Sequence, residues 1–174
     1  ALALPGCGHA FSTSRSYTDG RIEERNLSTV IRWTDVMLQA IRETRQTPPA
    51  AARLMAMGHL AGFTAVASLG NTYVSPHDIG EGPDNFDSDV AYGVAVATVM
   101  AGVLNSDMSC RLEPFMAGFP DNGAKSGGHR WGTVAARAVL ADRETDGATD
   151  GNTFFYTKAA GPMAWMPTGT WYGE

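Results

Sequence analysis

Residues Trp33 to Thr64 read WTDVMLQAIRETRQTPPAAARLMAMGHLAGFT, and the fold turns on three residues near their middle, Thr47-Pro48-Pro49. Thr47 can accept a hydrogen bond from the free N–H groups at the start of a helix. Pro48 suits the first helical position, because its ring fixes φ near the helical value and its missing N–H costs nothing there. Pro49 falls in the same first turn, where an amide would have no intrahelical partner. The double proline therefore stops one helix and starts the next, which predicts an antiparallel helical hairpin. Upstream, Leu27 to Gln46 carries Leu27, Val30, Ile31, Met37, Leu38 and Ile41, with Trp33 beside them, at three- and four-residue intervals. That spacing makes a broad apolar stripe. Downstream, Ala50 to Leu69 is rich in Ala, Met and Gly and ends at Gly70-Asn71, a natural left-handed stop. Its small residues Gly58, Ala61, Gly62 and Ala65 let another backbone come close, so it is the predicted central helix.

Working outward, residues 1–26 mix Gly, Ser, Thr and charges without an apolar period, and read as an extended N-terminal arm. The stretch from Asn71 to Phe86, punctuated by Pro76, Gly80, Gly82 and Pro83, reads as a loop. Asp87 or Ser88 caps a third helix to Leu104, whose interior VAYGVAVATVMAGVL is apolar nearly all round. Its valines would suit a strand too, but its length and alanines favour helix. Ser109 to Met116 reads as a short fourth helix capped by Ser106 or Asp107 and limited by Pro114. Asp121 or Asn122 opens a fifth that continues to Arg143, with Trp131, Val134, Ala135, Ala138 and Val139 inside and Arg130, Arg137 and Asp142 outside. The expected architecture is all-α: a bundle of about five helices over residues 27–143 built on the hairpin, with long irregular arms at 1–26 and 144–174.

Composition narrows the function. Of the 174 residues only 18 % are charged while 44 % are apolar and 20 are glycine, as expected of helices that bury more than one face. A net charge of −5, with 13 basic residues scattered among 18 acids, argues against nucleic acid as a partner. No uncharged apolar run reaches the roughly 18 to 20 residues of a membrane span, so no transmembrane segment is expected. The chain opens ALALPGC without Met, which fits an exported chain, periplasmic, lumenal or extracellular, after removal of a leader. Cys7 and Cys110 could pair only if the N-terminal tail folds back onto the body.

Individual chemistry is sparse. The histidines His9, His59, His77 and His129 offer no pair at metal-ligand spacing. His59, on the predicted central helix, reads as a satisfied core histidine, with a buried polar switch as the alternative. Arg53 would be costly to bury alone and should meet a carboxylate or helix-end carbonyls. Asp84, Asp87 and Asp89 lack the Gly and Glu offsets of a calcium loop. Asp146, Asp150 and Asn152, in D-G-A-T-D-G-N, are the remaining metal candidates, weighed against a solvated turn. Nothing resembles a nucleophile elbow, and no catalytic residue is assigned. Phe154, Phe155, Tyr156, Trp165, Trp171 and Tyr172 are large apolar groups in a segment without helical period, and read as a strap that lies across another surface. They are the partner-interface candidates. Trp33, Thr47, Pro48, Pro49, Arg53 and His59 are read as structural.

The run WTDVMLQAIRETRQTPPAAARLMAMGH (Trp33 to His59), followed in order by AYGVAVATVMAGVL, AKSGGHRWGTVAARAVLADRETDG and GPMAWMPT, resembles the N-terminal helical half of vanadium-dependent haloperoxidase-like proteins of the type-2 phosphatidic acid phosphatase superfamily. The likeness covers residues 28 to 168. It implies a helical frame for an oxyanion pocket whose donors come from later segments: a Lys followed by Arg-Pro, a Pro-Ser-Gly-His, and a Ser-Arg leading to His. A tetrahedral oxyanion needs such cationic donors, backbone amides and an imidazole. These segments are absent from this sequence; Ser126-Gly127-Gly128-His129 is superficially like the second but lacks its proline. At Thr64 the family commonly has an acidic residue. The resemblance therefore implies no cofactor in this chain, and vanadate only if a C-terminal half exists on another chain. The leading expectation is a non-catalytic scaffold or interaction subunit that docks on another protein subunit or forms a homo-oligomer. Alternatives are one portion of a split or cleaved vanadium haloperoxidase or acid phosphatase, and a small cation-binding helical module.

Overall fold

The computed structural model describes residues 28–67 and 73–148, and those residues form five α-helices and no strand. The chain divides into two compact units, Ala1–Arg143 and Glu144–Glu174, and all five helices belong to the first. They are α1 (Thr29–Thr44), α2 (Pro48–Ala67), α3 (Ser88–Leu104), α4 (Ser109–Met116) and α5 (Gly123–Asp142).

The hairpin forms as its connector dictates. Pro48 opens α2, and the Thr47 carbonyl accepts the N–H of Ala51. The end of α1 was less legible. Arg45 adopts the left-handed conformation (φ 51°), its N–H bonds the Arg42 carbonyl, and the Gln46 N–H reaches back to Ile41. This is a Schellman ending with arginine where glycine is usual. Asn105 closes α3 in the same left-handed conformation, with Ser106 reaching back to Ala101.

Two expectations about packing are corrected. The central helix is α3, not α2: Val90 through Ala97 are buried without interruption, as are Val99 and Met100, and α2 and α5 pack along it while α1 and α4 close the remaining side. An unbroken apolar circumference wins over the small residues of α2, because only a helix that is apolar all round can be covered on every side. On α1 the buried face is Trp33, Val36, Met37 and Ala40. Val30 and Ile31, expected in the stripe, are 45 % and 49 % exposed, and so is Val134 of α5 at 43 %.

The core has two lobes on opposite sides of α3. One gathers Trp33, Met37, Leu54, Tyr92, Val96, Met100 and Phe115, with the Trp33 and Phe115 rings edge to face at 5.4 Å. The other gathers Met57, Ala61, Ala95, Val99, Trp131 and Val139, and the Trp131 indole N–H donates to the Ala65 carbonyl at 3.0 Å. Close approach of α5 to the start of α3 requires glycine. A Cβ on Gly128 would lie 2.6 Å from the Asp87 carbonyl oxygen, and one on Gly127 2.6 Å from that of Asn85. Asp87 itself caps α3 by accepting the N–H groups of Asp89 and Val90 at 3.0 Å each, while its own N–H bonds the Ala124 carbonyl in the first turn of α5.

Candidate functional site

Among the described residues, three places bring polar side chains together, and each follows from the helix packing. The first is a polar chain that threads α3, α2 and α1. Tyr92 Oη lies 2.7 Å from His59 Nδ1, and His59 Nε2 lies 3.4 Å from Thr34 Oγ1. Thr34 donates its hydroxyl proton to the Val30 carbonyl at 2.8 Å, so its oxygen is left to accept. The order is then fixed by donor counting: Tyr92 O–H donates to Nδ1, and Nε2–H donates to Thr34. This assigns His59 the neutral Nε2–H tautomer. Burial lowers its pKa below 6.5, and burial pushes the Tyr92 hydroxyl up to about 12. Both groups are held uncharged in this half-buried chain.

The second is an ionic brace on the α1–α4 side. Arg111 Nη2 contacts Glu43 Oε2, its Nη1 donates to Gln39 Oε1 at 3.3 Å, and Gln39 Nε2 donates to Glu43 Oε1 at 2.9 Å. Arg53, flagged for its need of a partner, donates to the Arg143 carbonyl at 3.0 Å, a helix-end oxygen at the close of α5. His77 Nε2 lies 3.4 Å from Asp142 Oδ2 and ties the 73–87 loop to the same end. The Arg111 and Arg53 guanidiniums are thus turned to a carboxylate and a helix end of the bundle itself.

The third is an open cleft of about 590 Å³ beside Met116, lined by Asp121, Asn122, Lys125, Ser126, His129 and Arg130. Lys125, the natural anion donor there, is held by Asp121 at 2.6 Å and by the Phe119 carbonyl at 3.2 Å. The ammonium beside it keeps the Asp121 carboxyl below its usual range. Ser126-Gly127-Gly128-His129 is helical, and its two glycines face the start of α3, so the stretch serves packing.

Of the metal candidates only Asp146 is described, in the second unit: its carboxylate accepts the Ala148 N–H at 3.1 Å, as in a tight turn. Asp150 and Asn152 lie outside the described residues, as do Phe154, Phe155, Tyr156, Trp165, Trp171 and Tyr172. No group of three or more His, Cys, Asp or Glu converges among the described residues. Cys110 is disulfide-bonded.

Sequence reading missed the outer face of α2. By length and composition alone this helix could cross a membrane, although Arg53 and His59 interrupt its apolar run, and 44 % of its 18-residue apolar window is buried in the bundle. Ala52 and Ala56 are exposed, and His59, Phe63 and Val66 are half-buried. Phe63 meets Tyr73 edge to face with centroids 6.3 Å apart. Tyr73 and Val74 are 68 % and 91 % exposed. The signal that could have found this face is the near absence of charge around the whole helix, which leaves two apolar sides where a surface helix needs one. Compared with known protein families, with characterised proteins and with solved structures, the chain finds no match.

Proposed function

We propose that this chain is a non-catalytic scaffold or interaction subunit, a helical frame that docks on a protein partner. The observation that carries the reading is the apolar surface left at α2 and the loop beside it, where Ala52 and Ala56 are exposed and half-buried Phe63 meets Tyr73, which with Val74 stays exposed. Exposed apolar surface of that extent marks an interaction site more often than it is tolerated on a solitary chain. A second consideration supports it. The half-buried polar groups are engaged in holding helices to one another: Tyr92 and Thr34 with His59, Gln39 and Glu43 with Arg111. The test is the state of the purified chain. A stable homo-oligomer or a stoichiometric complex with another polypeptide is expected. A monodisperse monomer that co-purifies with nothing would sink the reading, as would turnover of phosphate esters or halide by the chain alone.

The resemblance of Trp33 to His59 and the later helices to the N-terminal half of haloperoxidase-like proteins supports a second reading, a frame whose vanadate- or phosphate-binding residues lie on another chain. It requires a companion polypeptide bearing Arg-Pro and Pro-Ser-Gly-His segments. Mixing that companion with this chain should give vanadate-dependent halide oxidation or phosphatase activity that neither has alone.

A further inference from the structure

We infer that the disulfide at Cys110 is closed by Cys7 of the same chain, so that the N-terminal arm is a covalent clasp on α4. Cys110 is disulfide-bonded, and no described cysteine is free. The sequence holds two cysteines, Cys7 and Cys110, so a bond within one chain leaves Cys110 a single mate. Cys7 itself lies outside the described residues, and the bond is placed by its other end and by the length of chain available. Such a clasp does not depend on the scaffold reading.

The chain is long enough to make it. Cys110 is half-buried at the second position of α4, and the next residue, Arg111, contacts Glu43 in the last turn of α1. The start of α4 therefore sits beside the end of α1. Phe115, further along α4, meets Trp33 near the start of α1 with centroids 5.4 Å apart, so the two helices run in opposite senses. From Ser28 to Glu43 the path along α1 measures about 22 Å at 1.5 Å per residue. The twenty residues 8–27 join Cys7 to Ser28, and fully extended they span roughly 66 Å. The arm can retrace α1 from its end to its start with slack.

The bond falls on the element with most need of it. α4 has eight residues, holds Pro114 in its interior, and takes no side-chain hydrogen bond from its N-cap Met108. A helix that short does not persist in water on its own, and the proline removes one of its few backbone hydrogen bonds. Tertiary links must hold it: Phe115 against Trp33, Arg111 with Glu43 and Gln39, and the Cys110 bond. The covalent ring from Cys7 to Cys110 encloses α1, α2 and α3 whole. A cross-link between residues so far apart in sequence removes conformations mainly from the unfolded chain. Its formation takes an oxidant of the disulfide class. The Cys7 and Cys110 thiols exchange with R–S–S–R to give the protein disulfide and two R–SH, the two protein sulfurs being oxidised and the two carrier sulfurs reduced. Bonds of this kind persist in oxidising compartments and are rare where glutathione keeps thiols reduced. The clasp therefore belongs to a chain that works in an oxidising compartment.

The experiment is a peptide map of the full chain, produced in an oxidising compartment and digested with trypsin without reduction. Cleavage at Arg15, Arg53 and Arg111 should give peptide 1–15 joined to peptide 54–111, and reduction should separate the two. Alkylation of the unfolded, unreduced chain should find no free thiol. Two chains joined through their Cys110 residues, or two alkylated thiols per chain, would overturn the pairing. Cys7→Ser should lower the melting midpoint by roughly 10 °C, and reduction of the unaltered chain should give the same shift. A midpoint that neither change moves would overturn the clasp's hold on the bundle.

Discussion

His59 is where a single titration reaches the fold. Its folded pKa is lowered by burial, so the unfolded chain binds a proton near pH 6.5 while the folded chain does not. Stability from the neutral ring is therefore fully present above about pH 6.5 and is lost as pH falls through the lower, folded value. Urea midpoints should drop between pH 7.5 and 5.5, and the drop should shrink in His59→Gln, which keeps polar atoms but cannot titrate. An equal pH response in both proteins would show that a group other than His59 is responsible. Thr64 is the opposite kind of residue. It is fully buried and its hydroxyl has no hydrogen-bond partner, a situation that costs about 1 to 3 kcal/mol. Thr64→Val keeps the shape and β-branching and removes the orphan, so a gain of about 1 kcal/mol in chemical denaturation is expected. A loss of that size would mean the oxygen has a partner. That His59 would be a satisfied histidine was legible in the sequence. That Tyr92, 33 positions away, and Thr34, 25 positions away, satisfy it was not, because the pairing exists only once three helices have met.

At the scale of elements, α3 and α5 depend on how closely their backbones approach. A methyl on Gly128 would meet the Asp87 carbonyl oxygen at 2.6 Å and Val90 at 3.0 Å, and that carbonyl cannot retreat because Asp87 also caps α3. Gly128→Ala should therefore cost about 2 to 3 kcal/mol by overpacking. Gly123, at the start of α5, has nothing within 4 Å of the same probe position. Gly123→Ala should instead gain about 0.5 to 1 kcal/mol by restricting the unfolded chain. If the two variants melted alike, the close approach would be wrong. The helices themselves were legible to within a few residues, since Thr47-Pro48-Pro49, Asp87, Asn122 and the long apolar periods are local signals. What sequence could not show was rank. Small residues on α2 and the all-round apolar text of α3 both suggest a central helix, and the choice is made by packing. Arg45 was illegible for a different reason: a left-handed end without glycine leaves no mark in composition, and here the Ile41 and Arg42 carbonyls, bonded by Gln46 and Arg45, hold it.

For the whole molecule, the low charge and high apolar share of the sequence are accounted for only in part by the bundle. Trp33, Met37, Leu54, Phe115 and Val90, Val94, Val96 and Val99 of α3 are buried, yet Val30 and Ile31 of α1 and Tyr73 and Val74 of the loop after α2 stay exposed. The scaffold reading proposed above accounts for such surface by a partner that covers it in the working state. If a second copy does, folding and association are one equilibrium, and stability then depends on concentration. Unfolding of a dimer to two chains loses about 2.7 kcal/mol per dimer for each 100-fold dilution. Denaturation midpoints of the full chain should therefore fall on dilution. A concentration-independent midpoint would mean that no partner copy contributes to stability.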